Sequence, residues 1–160
     1  MKNKTKEVVI ILDDIRSCFN VGSLFRIADC VGVSKVFLCG YTPAPVDKFG
    51  RINKEIKKVA LGGEVSVSWE KHFSVLRLVK KLKSEGFEIV SLEQSDNSLD
   101  YKKFKPIKKT AIIVGNEVLG VSNKILKLSD RIVEIPMKGK KESLNVAVAT
   151  AVALFRILKI

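Results

Sequence analysis

The sequence is poor in the residues that metal and histidine chemistry need. It has one histidine, His72, and three cysteines, Cys18, Cys30 and Cys39, with no CxxC pair. No zinc-ligand spacing exists among them, so no metal is expected. An odd number of scattered thiols reads as reduced, partly buried cysteine rather than a disulfide framework, and points to the cytoplasm. His72 follows Trp69 at the start of an amphipathic stretch and reads as a structural or surface residue. Long hydrophobic runs are also lacking. The run from Val8 to Leu12 stops at Asp13 and Asp14, short of the roughly 7–15 apolar residues of a signal segment. The stretch 146–158 is interrupted by Thr150 and Arg156 and is too short for the roughly 20 residues of a membrane span. Neither export nor a membrane is therefore expected. Acidic residues are scarce as well: 17 Asp plus Glu face 29 Lys plus Arg, a net charge of +12.

What is present is enough for a core. Hydrophobic residues make up 46% of the 160 residues, which excludes a disordered basic tail, because such tails cannot offset chain entropy by burial. One domain over residues 1–160 is expected at this length. A folded domain with a basic surface points to a polyanionic partner, nucleic acid first.

Short apolar runs alternate with helical patterns. Strands are expected at 8–12, 35–39, 87–92, 110–114 and 131–135, each rich in β-branched or aromatic residues. The spacing predicts helices over 20–32, 71–84, 122–128 and 143–158. Residues 41–67 read as irregular, with Pro43, Pro45 and the pair Gly62-Gly63; residues 93–109 read as a polar connection. Strands separated by helices give an α/β fold with a mainly parallel sheet flanked by helices. Ligands in such folds gather at the carboxyl ends of strands. The ends after Leu92, Val114 and Ile135 carry the unusual residues. The last helix is apolar in every direction, from Val146 through Ala153 to Ile157. It must be covered all round, by its own domain or by a second subunit; the second is the expectation.

Three segments carry chemistry. Gly115-Asn-Glu-Val-Leu-Gly120-Val-Ser122 follows a strand and nearly matches a phosphate loop, but Val121 stands where the phosphate-binding lysine would be, and Glu117 adds negative charge. The loop suits close backbone approach by a ligand without phosphates. Ile135-Pro-Met137-Lys138-Gly-Lys140-Lys141-Glu-Ser143-Leu144-Asn145 joins the last strand to the last helix, and Ser143 is a good N-cap. Asn20-Val-Gly22-Ser23-Leu-Phe-Arg26 places Gly22, Ser23 and Arg26 on one polar helix face. Arg26 could simply pair with Asp29. Gly22 weakens a helix by about 1 kcal/mol relative to alanine, which points to something packed close against it.

In order and spacing these three motifs resemble the SpoU/TrmH family of the SPOUT superfamily, RNA ribose 2′-O-methyltransferases. The resemblance spans nearly the whole chain: Asn20, Gly22 and Arg26; Ile112 through Gly120; Ile135-Pro-Met-Lys-Gly139 with Ser143-Leu-Asn-Val146. It departs from the pattern at Ala147, where many members have serine, and no additional RNA-binding domain is expected. The resemblance implies a C-terminal deep trefoil knot, a homodimer with the active site at its interface, and S-adenosyl-L-methionine as cofactor. The implied cofactor contacts are Leu92, Gly115, Asn116, Gly120, Ile135, Met137, Ser143 and Leu144.

The implied reaction is attack of a ribose 2′-hydroxyl in tRNA or rRNA on the sulfonium methyl group. The family pattern assigns activation of the hydroxyl to Arg26, as an assisted base or as a fixed cation. It assigns positioning to Asn20 and Asn145, loop geometry to Glu117, and a cap or substrate contact to Ser143. Lys102, Lys103 and Lys105, with Lys108 and Lys109, form one expected RNA-binding cluster, and Lys138, Lys140 and Lys141 another. The competing reading is a non-catalytic RNA-binding or assembly factor on the same fold, against which Asn20, Arg26, Glu117 and Asn145 stand together. A flavodoxin-like nucleotide binder is disfavoured by the missing phosphate loop.

Overall fold

The computed structural model describes residues 6–160. Its strands are β1 (Glu7–Asp13), β2 (Lys35–Cys39), β3 (Trp69–His72), β4 (Glu88–Leu92), β5 (Leu99–Asp100), β6 (Lys109–Val114) and β7 (Arg131–Glu134). Its helices are α1 (Cys18–Val31), α2 (Lys54–Ala60), α3 (Gly63–Ser66), α4 (Val75–Ser84), α5 (Asn123–Leu126) and α6 (Val146–Leu158). The strands form one sheet in the order β3-β2-β1-β6-β4-β7-β5, and every pairing is parallel. An all-parallel sheet has to be covered on both faces. The two-residue period of the central strands does this. Val8, Ile10 and Leu12 pack with Ile112 and Val114 beneath α1, α2 and α6. Val9 and Ile11 pack with Ala111 and Ile113 beneath α4 and α5. Each such aliphatic side chain contributes roughly 1.5–3 kcal/mol by burial.

Local signals set the helix ends. The Ser17 hydroxyl accepts from the Asn20 amide and starts α1 two residues earlier than its apolar spacing predicts; Gly32, at φ 72°, ends it. Gly22 is buried rather than part of a polar face. A Cβ there would lie 2.8 Å from both the Ile56 carbonyl oxygen and the Val59 Cβ, so α2 packs directly on α1. That helix and α3 occupy the stretch expected to be irregular. Asn53 caps α2 by accepting from the Glu55 and Ile56 amides.

Three further expectations are corrected. Residues 69–72 form an edge strand beside β2, and Ser74 caps α4, so the helix expected from 71 starts at Val75. His72 thus lies in a strand, 3.2 Å from the Glu70 carboxylate and edge-on to Phe37. The polar connection after β4 contains β5, which pairs with β7. The last helix begins at Val146, and its cap is Asn145, whose Oδ1 accepts from the Ala147 and Val148 amides. Ser143 lies too far before the first helical turn to serve that role. Among the described residues no helix is long and apolar enough to cross a membrane.

Candidate active site

A cleft of about 390 Å³ opens at the carboxyl ends of β4, β6 and β7. Its first wall is the glycine loop after β6. A Cβ on Gly115 would sit 2.3 Å from the Gly120 carbonyl carbon, so the loop closes on itself only with glycine there. Gly120 has φ +66°, and a Cβ would strike the Glu93 carboxylate at 2.3 Å. Between them the Asn116 side chain accepts from the Val118 and Leu119 amides and donates to the Asp14 carbonyl. The loop is thereby fixed in shape and tied to the end of β1. Glu93 accepts from the Val121 and Gln94 amides and fixes the second wall against the first.

The third wall is the segment between β7 and α6. Ile135, Met137, Ser143 and Leu144 line the cleft together with Leu92, Gly115, Asn116 and Gly120. All eight residues expected to touch the cofactor therefore face one cavity. Glu117 lines it too, and its carboxylate joins the motifs. Oε1 accepts from the Ser17 amide at 3.0 Å and the Asn20 side-chain amide at 3.1 Å; Oε2 accepts from the Arg16 amide at 3.1 Å. Asn20 in turn accepts from Asn145 Nδ2 at 3.0 Å. One chain of hydrogen bonds thus runs from the glycine loop through the first turn of α1 to the cap of α6. Burial works to raise the Glu117 carboxyl, but the bonds from Asn20, Ser17 and Arg16 outweigh it and hold it below the usual carboxylate range.

The match with known proteins follows this geometry. The SpoU rRNA methylase family model aligns with residues 7–155. The chain belongs to the SpoU rRNA methylase family. Its chemistry is methyl transfer, on the all-parallel SPOUT sheet. A tRNA (guanosine(18)-2′-O)-methyltransferase of Aquifex aeolicus is 31% identical over 155 residues, covering 97% of this chain and 70% of that protein. The crystal structure of a TrmH/SpoU tRNA modifying enzyme from A. aeolicus superposes with a TM-score of 0.83 at 29% identity, over 97% of this chain and 75% of that one. An AdoMet-bound rRNA methyltransferase from Sinorhizobium meliloti gives a TM-score of 0.86 at 25% identity, over 96% of this chain and 56% of that one. The chain spans between 62% and 70% of the length of the curated relatives it matches.

In this family member Arg26 stands apart from the cleft. It lies six residues, about 9 Å of helix, beyond Asn20 on the exposed side of α1. It does not pair with Asp29, whose carboxylate accepts from the Ser66 hydroxyl instead. Helical spacing puts Arg26 on the same outward face as Phe19, which is 64% exposed. On α6, which packs against α1, Val148, Val152 and Phe155 are exposed.

The lysines separate into two ends of the molecule. Lys138, Lys140 and Lys141 are exposed in the loop that forms the third wall. Lys102 and Lys103 follow β5 at the same end of the sheet, where the Tyr101 amide donates to the Glu134 carbonyl. Phe104 then turns into the core, and Lys105 is exposed beyond it. Lys108 and Lys109 lie at the opposite end, with the Lys108 carbonyl accepting from Glu7 and Lys109 opening β6. At roughly 3.3 Å per residue, β6 puts Lys109 about 17 Å from the cleft end. The five lysines are not one patch.

Glu93 and Gln94 were not singled out by motif, yet both line the cleft. Their signal was position: they directly follow β4, at a strand end where ligands collect.

Proposed function

We propose that this chain transfers the methyl group of S-adenosylmethionine to a ribose 2′-hydroxyl of tRNA or rRNA, as a cytoplasmic homodimer built from one methyltransferase domain. The observation that carries the reading is the Glu117–Asn20–Asn145 chain of hydrogen bonds, which ties three separate motifs to one another through Glu117, the one of the three that lines the cleft. A scaffold that only bound RNA would have no use for side chains fixed in this way beside a cavity.

The cleft fits the cofactor. Glu93 and Glu117 line it and, among the described residues, no lysine does, which opposes phosphate and favours a cation. Leu92, Ile135, Met137 and Leu144 offer apolar contact for a flat adenine ring. The bound cofactor supplies a methyl group already activated on a sulfonium. The chain's residues supply orientation and charge. Asn20 bonds both Asn145 and Glu117, and Glu117 fixes both the loop and the start of α1. The part of Arg26 is that of a fixed cation beside the oxygen that gains negative charge.

Arg26 reaches that place through the dimer. Phe19 shares its helix face, and Val148, Val152 and Phe155 are exposed apolar residues at helical spacing on α6; a second copy packed on these residues completes the site at the interface. The same reading includes a deep trefoil knot: β7 is inserted between β4 and β5, and the Gln94 side chain donates to the Glu142 carbonyl beyond β7. Lys138, Lys140, Lys141, Lys102 and Lys103 attract the RNA backbone to the cleft end, and Lys105 extends their reach along the chain. Calorimetric titration with S-adenosylmethionine tests the reading. Micromolar binding, lost on Gly115→Val while the protein stays folded, is expected. RNA binding with no heat from S-adenosylmethionine would mark an assembly factor instead.

A further inference from the structure

The segment that follows β2 carries two exposed aromatic rings that the core does not use. Tyr41 is 75% exposed, and the Arg16 guanidinium lies 4.7 Å from the centre of its ring. Phe49 is 69% exposed, with Lys48 Nζ at 5.0 Å and the Arg51 guanidinium at 5.1 Å from its ring centre. Neither ring sits on a loose loop. The Tyr41 amide donates to Asp14 Oδ1 at 2.8 Å, and the Asp14 carbonyl accepts from Asn116 in the glycine loop. The Arg16 amide donates to Glu117 itself. Phe49 is at the tip of a small hairpin closed by the Val46–Ile52 bridge, where Asp47 accepts from the Phe49 and Arg51 amides and from the Arg51 side chain. Asn53 ties the base of that hairpin to Cys18 at the start of α1.

We infer that Tyr41 with Arg16, and Phe49 with Lys48 and Arg51, form a stacking platform for unpaired bases of the substrate RNA beside the target ribose. The inference rests on the methyltransferase reading and names how that site takes its substrate. Exposed rings cost solvation unless something flat covers them, and nucleobases stack on aromatic faces and guanidinium planes alike. The cations on each ring supply charge for the neighbouring phosphates. Because Arg16 and Tyr41 hang from Glu117, Asp14 and Asn116, a base stacked on them is held in register with the cleft. Base stacking of this kind is tolerant of sequence, so the platform selects single strands and bulges over duplex.

A 12-nucleotide RNA carrying 2-aminopurine provides the probe, with the same strand in a duplex as comparison. The wild-type protein should quench the single strand on binding. Tyr41→Ala and Phe49→Ala should each weaken its affinity about tenfold and remove part of the quench, while Tyr41→Phe keeps both. Duplex affinity and S-adenosylmethionine affinity should not change in these variants, and their melting temperatures check the fold. Unchanged single-strand affinity and quench in the folded alanine variants would overturn the platform. So would equal losses on duplex, or a change of sedimentation mass without a change in RNA affinity, which would make the surface a protein contact. Methyl transfer to a cellular RNA pool, measured in parallel, separates the two readings. Transfer that ignores Tyr41 sinks only the platform; quench without any transfer by the wild type sinks the methyltransferase reading.

Discussion

Asp13, at the end of β1, and Glu117, in the glycine loop after β6, have opposite electrostatic balances. Burial, and then the Asp14 carboxylate beside it, push the Asp13 carboxyl up from 3.8 to about 6. The folded protein thus holds that proton more tightly than the unfolded chain. Stability associated with it is full below about pH 3.8 and lost as pH rises through 6. Asp13→Asn should therefore raise the melting temperature at pH 7.5 and give no gain at pH 3.5. Glu117 behaves the other way. Its carboxyl is held below the ordinary 4.5 by the bonds from Asn20 and two backbone amides, against the pull of burial. Its contribution is present above pH 4.5 and fades as pH falls through the folded value. Glu117→Gln should lower the melting temperature at pH 7.5, with the deficit shrinking below pH 4. Thermal melts of both variants across pH 3.5–7.5 check the two signs together.

At the scale of elements, the Asn145 side chain both caps one helix and ties it to another. Its Oδ1 caps α6 and its Nδ2 donates to Asn20. Asn145→Ala should cost about 1–2 kcal/mol in urea unfolding through the lost cap. Asn145→Asp keeps the acceptor but has no donor for Asn20, so most stability should survive while the link to Glu117 loosens and cofactor affinity falls. This dual use was only half legible in the sequence. Ser143 and Asn145 both have good capping chemistry, and only the path of the chain out of β7 decides between them. The central strands were readable because both faces are buried and their residues are apolar throughout. The boundary between β3 and α4 was not, because the helical spacing of Leu76, Val79 and Leu82 extends back through Phe73, which the structure leaves 97% exposed. Strand pairing with β2 overrode it. The short helix α2 was hidden between prolines and glycines, although Gly22 had already pointed to close packing. The cleft was legible since its residues come from strand ends, whereas the split of the Lys102–Lys109 cluster depends on how far β6 runs.

At the scale of the whole molecule, α6 has an apolar side that its own fold does not cover. The inner side of α6, with Ala147, Ala153, Leu154 and Ile157, is buried in the domain; Val148, Val152 and Phe155 are exposed, as is Phe19 on α1. A charge at Ala153 would thus unfold the protein rather than divide a dimer. Val152→Glu with Phe155→Glu should instead give a folded monomer in sedimentation that has lost methyl transfer, because the proposed interface would no longer bring Arg26 to a cleft. Transfer by such a monomer would contradict an interface site. The central claim is that Arg26 acts on the ribose oxygen and not on cofactor binding. Its most direct test is transfer of labelled methyl from S-adenosylmethionine to RNA by wild type and Arg26→Ala, read as alkali-resistant 2′-O-methylated linkages, with cofactor affinity measured alongside. The account predicts ribose methylation by the wild type and a loss of about 100-fold or more in turnover for Arg26→Ala, with cofactor affinity unchanged. Wild-type turnover in that variant, or methyl found on a base, would contradict it.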